Sequence, residues 1–354
     1  MKQTLVHVRK KAMSQILILL FALFAFPVQG HGTEGTLNFH VTPELPESQV
    51  EGSNSYFDLN LEPGQKETLS LVLQNASSEP IQVDVTPHTA YTNVHGVVEY
   101  GKEAPEPDNT LRYSLSDQIE SLDSIELAAN ETKTIDLVLE MPEERFEGFL
   151  AGGLRISEVK AEQEVTSSSE EGVAIKNEFA YVVGIVVSNS RDSVQPELEL
   201  VDVFADQLNN RNVISATLQN TTPTFVNRLS VEASIQRVGE NDVLYEASEA
   251  NMQMAPNSHF HFPISLEGDR FQSGEYVLKL KATSGEEEWE WEREFTIEAE
   301  EARSFNRADV MIDTSINWWM VGSIILLVLL LVIGLYILIQ KRKQGSTSES
   351  HNKE

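Results

Sequence analysis

Thr68-Leu69-Ser70-Leu71-Val72-Leu73-Gln74-Asn75 carries a leucine at every second position from 69 to 73. A period of two puts Leu69, Leu71 and Leu73 on one face of an extended strand, whereas a helix would scatter them around its circumference. The same alternation returns in Ile81, Val83 and Val85, and again in Ile135, Leu137, Leu139 and Met141. Between these segments lie Pro63-Gly64, Asn75-Ala76-Ser77-Ser78 and Ala129-Asn130-Glu131, whose residue types adopt turn conformations at low cost. Short strands separated by regular turns predict an all-β first unit, with antiparallel sheets packed as a sandwich.

Outward from this unit, Glu158 to Gly172 is rich in Glu, Gln, Ser and Thr and too poor in apolar residues for a core strand, so it reads as a linker or long hairpin loop. Phe179 to Val187 follows, apolar on both faces as a central strand would be, and its pattern fits either unit. Alternation resumes through Leu198–Phe204, Val213–Leu218, Leu229–Ile235, Phe260–Leu266 and Tyr276–Ala282, which predicts a second sandwich. Two short echoes suggest duplication of one plan. Leu73-Gln74-Asn75 recurs as Leu218-Gln219-Asn220, and Asn130 ahead of Arg145-Phe146-Glu147-Gly148 recurs as Asn257 ahead of Arg270-Phe271-Gln272-Ser273-Gly274.

The two ends have other chemistry. Lys2, Arg9, Lys10 and Lys11 precede the short apolar stretch Ile16–Phe26 and the small-residue run Val28-Gln29-Gly30, the pattern of a signal peptide over residues 1–30 cleaved near His31. At the other end Trp318 to Ile339 is uncharged and is followed at once by Lys341-Arg342-Lys343. As a helix that run would extend roughly 33 Å, enough for a bilayer core. The basic cluster predicts a cytoplasmic tail over 340–354 and an outside-facing remainder, with 318–339 as the membrane span.

The chain of 354 residues has a formal net charge of -29. With four basic residues in the leader, and four basic and two acidic in the tail, the segment His31–Asn317 keeps 18 basic against 53 acidic residues, a net of -35. Such a surface disfavours nucleic acid and anionic headgroups. Cysteine is absent although the segment is expected outside the cell, so the cores must suffice without disulfides, which favours a bacterial surface protein over a secreted animal receptor. Asn-X-Ser/Thr matches at Asn75, Asn130 and Asn220 read as turn chemistry.

Catalytic signatures are missing. No Gly-X-Ser-X-Gly elbow, phosphate loop, dinucleotide fingerprint or zinc-protease helix occurs, and with so many acidic residues a carboxylate pair means little. His259 and His261 share a strand face and His88 lies near His95, yet no third ligand is singled out, so neither a metal site nor a cofactor is predicted. Gly148, Gly152 and Gly153 lie in a strand-like run and imply a bulge or a close backbone approach. In Glu288–Ile297, Trp289, Trp291, Phe295 and Ile297 alternate with Glu288, Glu290, Glu292 and Glu294. The tryptophans pack a core on one reading and form a partner-binding platform on the other.

The ordered set Val41-Thr42-Pro43-Glu44-Leu45-Pro46-Glu47, Tyr56-Phe57-Asp58-Leu59, Pro63-Gly64-Gln65, Asn93-Val94-His95-Gly96-Val97-Val98-Glu99-Tyr100 and Met141-Pro142-Glu143-Glu144-Arg145-Phe146-Glu147-Gly148, with Gly152-Gly153, resembles the N-terminal domain of the WxL-interacting proteins. The C-terminal tether is similar too. The resemblance implies a surface protein of Gram-positive bacteria with two tandem immunoglobulin-like β-sandwich domains: a peptidoglycan-binding domain over 36–160 and a host- or partner-binding domain over 161–302. It implies a non-enzymatic scaffold at the cell membrane and wall, whose partners are peptidoglycan, WxL-domain surface proteins and a host matrix protein. The chain has no Trp-X-Leu of its own and would be the partner, not the carrier. For glycan, Tyr91, Asn93, His95 and Tyr100 around the Gly96 turn combine rings with amide and imidazole groups. An ordinary hairpin with its tyrosines packed at the sandwich edge is the competing reading. The alternative function is a membrane-tethered wall hydrolase working through two carboxylates.

Overall fold

The computed structural model describes residues 38–52, 55–159, 179–312 and 318–348. The leader expected at 1–30 lies outside the described residues, as do residues 160–178. The first unit is a sandwich. One sheet runs β1 (Phe39–Glu44), β3 (Lys66–Asn75), β8 (Thr132–Glu140). Its register sets Leu69 opposite Leu137 and Leu71 opposite Ile135, so the leucines of the period-two segment face inward together. The facing sheet runs β2 (Phe57–Asn60), β10 (Ala180–Ser188), β9 (Leu150–Glu158), β4 (Ile81–Thr89), β7 (Ile125–Leu127). Phe39, Phe57, Leu59, Leu69, Leu71 and Leu73 are wholly buried between the two.

The strand whose ownership the pattern left open is β10, and it belongs to the first unit. It pairs antiparallel with β9 (Val183 opposite Leu154) and parallel with β2 (Ile185 opposite Phe57). A boundary at 160/161 therefore cuts a strand out of the first sandwich. The reason is its buried face: Val183, Ile185 and Val187 enter the first core, while on the other face Val182 is exposed and Val186 is partly covered by a small apolar cluster of Ala90, Val98, Ala151 and Ala255. Gly152 and Gly153 lie where strands approach closely, since a Cβ on Gly152 would stand 2.2 Å from the His88 carbonyl oxygen.

The second unit packs β11 (Leu198–Leu208), β12 (Arg211–Asn220) and β15 (Ser258–Ser265) against β14 (Val243–Met254), β13 (Val226–Arg237), β16 (Gly274–Ser284) and β17 (Glu287–Ile297), each sheet in that order. A helix not expected from the pattern, α1 (Ala299–Ala308), closes this sandwich and runs past the boundary expected at 302. It is held by Ala302 in the core and by Asn306, whose side chain accepts from the Phe271 amide (2.8 Å) and donates to its carbonyl (2.9 Å). The suggested duplication has a structural counterpart. Asn75 and Asn220 are both buried at a strand end, and each Nδ2 donates to the carbonyl four residues on, at 2.8 Å to Glu79 and 2.7 Å to Thr224. Asn130 and Asn257 both take positive φ ahead of the next strand, at 58° and 47°.

The last element, α2 (Trp318–Ser348), is helical through the apolar run. Among its residues with described side chains, the continuous stretch is 322–336, and no helix so counted is long and apolar enough to cross a membrane. Its apolar side chains are exposed throughout that stretch, apart from the partly covered Gly334 backbone.

Candidate functional site

The two sandwiches meet along a polar seam, and a cleft of about 490 Å³ opens beside it. One wall comes from the first unit: the end of β4, the first arm (residues 91–94) of the hairpin formed by β5 (Tyr91–Thr92) and β6 (Val98–Glu99), and the loop Glu103–Asp108. The other wall is the start of β15, Asn257–His261. Period two along β15 sends Phe260 and Phe262 into the second core and leaves His259 and His261 on the opposite face, towards the first unit.

Asp108 is the hub of the seam. Its Oδ1 accepts from the Thr110 amide (2.8 Å) and hydroxyl (2.6 Å), and its Oδ2 from His259 Nδ1 (2.7 Å). Gln219 Nε2 donates to both carboxylate oxygens, at 2.9 and 3.0 Å. Burial alone pushes the Asp108 carboxyl up, but the bonds from His259, Thr110 and Gln219 together hold it at about 2. Its bond to His259 raises the imidazole pKa against the opposing effect of burial. His261, bonded through Nδ1 to the Thr217 hydroxyl at 2.9 Å, is lowered by burial and by the neighbouring His259.

Further contacts fasten the hairpin to the second unit. The Thr92 and Ser258 hydroxyls are 2.6 Å apart, the Ala255 amide donates to Thr92 Oγ1 (3.0 Å), and the Gln253 amide donates to the Gly96 carbonyl (2.8 Å). Gly96 has φ +64° and no room for a side chain, because a Cβ would meet Met252 Sδ at 2.4 Å. Gly148 is the same device on the far side of the seam: its φ is +71° and a Cβ would lie 2.0 Å from the Pro223 carbonyl oxygen.

Of the four residues expected to hold glycan, Tyr91 and Asn93 line the cleft, and His95 and Tyr100 do not. Asn93 Oδ1 is occupied in the turn, accepting from the His95 and Val97 amides at 3.0 and 3.2 Å. Tyr100 packs against the small apolar cluster between the units, and burial pushes its phenol up to about 12. His95 is exposed at the hairpin tip. The expected four-residue surface is therefore split, because the hairpin is clamped to the second unit. Trp289 and Trp291 are half-buried and pack against the second core, with Glu288, Glu290, Glu292 and Glu294 outward, and Trp291 also lines an open groove with Glu232, Lys279 and Lys281. Sequence reasoning missed Asp108, Gln219, Glu103 and Glu106. The only available signal was the His259/His261 face, whose partner lies 151 residues away. Among the described residues no group of three or more His, Cys, Asp or Glu is placed to hold a metal ion.

The chaperone DraB of E. coli is similar over 73% of this chain and 98% of its own, at 11% identity and a TM-score of 0.27. The Pseudomonas aeruginosa CupB2 chaperone is similar over 66% and 93%, at 13% identity and a TM-score of 0.25. Likenesses this distant say nothing of ligand or partner. Comparison with the curated proteins yields no match. The family model described as WxL Interacting Protein, peptidoglycan binding domain, matches residues 39–158. The one described as WxL Interacting Protein, host binding domain, matches residues 170–307 and so begins ahead of β10, although the hydrogen bonds of β10 lie in the first sandwich. With both models matched in order over its two β-sandwiches, this chain belongs to the WxL Interacting Protein family.

Proposed function

We propose that this protein is a non-enzymatic scaffold on the outer face of a Gram-positive cell membrane, with its first unit docked on peptidoglycan and its second on proteins. Those proteins are surface proteins carrying the WxL module and a host matrix ligand. The observation that carries this reading is the ordered pair of family matches, peptidoglycan-binding at 39–158 and host-binding at 170–307. The absence of a catalytic motif in the sequence favours a binder over a hydrolase. Trp318–Ile339 serves as the tether: the backbone is helical across it, and apolar side chains such as Leu331, 63% exposed, face outward. An apolar surface of that kind suits hydrocarbon surroundings, and the following Lys341-Arg342-Lys343 suits the cytoplasmic side.

The test is co-sedimentation of the detergent-solubilised chain with purified peptidoglycan, with the supernatant assayed for released muropeptides. The expected result is a chain that pellets with the wall and releases nothing. Release of soluble fragments would establish the hydrolase instead, and a chain that stays in the supernatant at every salt concentration would sink wall binding.

A further inference from the structure

We propose that the cleft between the sandwiches is one saccharide site built by both units, so that β15 of the second unit holds part of the wall glycan. This rests on the peptidoglycan reading above and gives it a location.

Shape comes first. At about 490 Å³ the cleft falls within the roughly 300–1,000 Å³ typical of small-ligand sites. Its walls are held in register before any ligand arrives, by Asp108 with His259 and by Thr92 with Ser258, so little ordering is left for binding to accomplish. The chemistry selects the ligand class. No Lys or Arg lines the cleft, which argues against an anionic ligand. Tyr91 offers a half-buried ring to the C–H face of a sugar, and the carboxylates of Glu103 and Glu106 on the rim accept from hydroxyls. His259 and His261 use Nδ1 inside the protein, on Asp108 and Thr217, leaving Nε2 as the ring atom free to meet an acetamide or a hydroxyl. A flat aromatic face ringed by planar polar groups of both hydrogen-bonding senses suits a neutral N-acetylated saccharide. It suits a phosphate or a purely apolar ligand poorly.

The distinguishing consequence is that a residue of the second unit contributes to wall binding. The detergent-solubilised chain would be titrated with a neutral β-1,4-linked N-acetylglucosamine oligosaccharide, and binding followed by calorimetry. His261→Ala, Tyr91→Ala and Glu106→Gln are compared with the parent, each checked by thermal melting; Glu106 is exposed on the rim, so its variant keeps the fold in any case. Each variant is expected to weaken binding about tenfold. If Tyr91→Ala or Glu106→Gln, both in the first unit, weakens binding while His261→Ala leaves it unchanged, the two-unit site is wrong. Unchanged binding in all three would also overturn it. A parent chain that ignores the neutral oligosaccharide yet pellets with whole peptidoglycan would overturn the neutral-saccharide site, leaving the wall-binding reading intact. Failure to pellet at all would remove both.

Discussion

Asp108 brings the two units together at the scale of one side chain, and its titration gives the seam a pH dependence. The carboxyl is held at about 2 against an ordinary 3.8, so its contribution is present above about pH 4 and lost as pH falls through about 2. That shift corresponds to on the order of 2 kcal/mol. His259 is shifted upward from 6.5, so its contribution is complete below 6.5 and lost as pH rises through the raised value. The nearby His261, lowered by burial and by His259, acts in the opposite sense and favours the neutral side. Glu106 also faces the two imidazoles and raises both, with Asp202 and Asp206 adding to His261. The pair itself is therefore strongest between about pH 4 and 6.5. Asp108→Asn should cost about 1–3 kcal/mol and flatten the pH profile of thermal stability over both limbs. An unchanged profile would show that the pair does not couple to folding. Other residues were legible without the structure: Asn75 and Asn220 read as turn chemistry, and each is the buried last residue of a strand whose side-chain amide donates to carbonyls of neighbouring loops.

At the scale of elements, β10 decides where the first sandwich ends. Removing it exposes the edges of β2 and β9 and takes Val183, Ile185 and Val187 from the core. At about 1.5–3 kcal/mol for each buried aliphatic side chain, that loss rivals the roughly 5–15 kcal/mol by which a whole domain is stable. A fragment of residues 38–160 is expected to aggregate or lack a cooperative melt, whereas 38–194 should unfold in one transition by circular dichroism. A folded shorter fragment would refute the assignment of β10. The period-two pattern revealed that β10 is a buried strand, but an all-apolar strand carries no face that names its partner. β17 shows the contrast. Its strict alternation set the aromatic and acidic residues on opposite faces and left open whether the tryptophans are covered, and the tertiary structure packs them half-buried against the core.

For the whole molecule, the seam turns two sandwiches into a body with a composite cleft, and the proposed tether sets which way it faces. Seam contacts run from Gly96 beside Met252 to the Phe149–Phe225 rings, whose centroids are 6.2 Å apart. With the basic cluster inside, protease added to wall-stripped cells should remove everything up to about Asn317 and leave the tail Lys341–Glu354 detectable by an antibody to the C-terminus. Loss of the tail epitope under those conditions would reverse the proposed orientation.

What the sequence determined by itself is what local periodicity and composition can encode. Alternating leucines imply strands, turn residues separate them, and ordered motifs point to the family, because each depends on residues near one another in the chain. Only the tertiary structure decided that β10 completes the first sheet, that the Tyr91–Tyr100 segment is clamped rather than free, and that Asp108 meets His259 across 151 residues. Contacts at that separation depend on how two finished sandwiches dock, and no spacing along the chain carries that information.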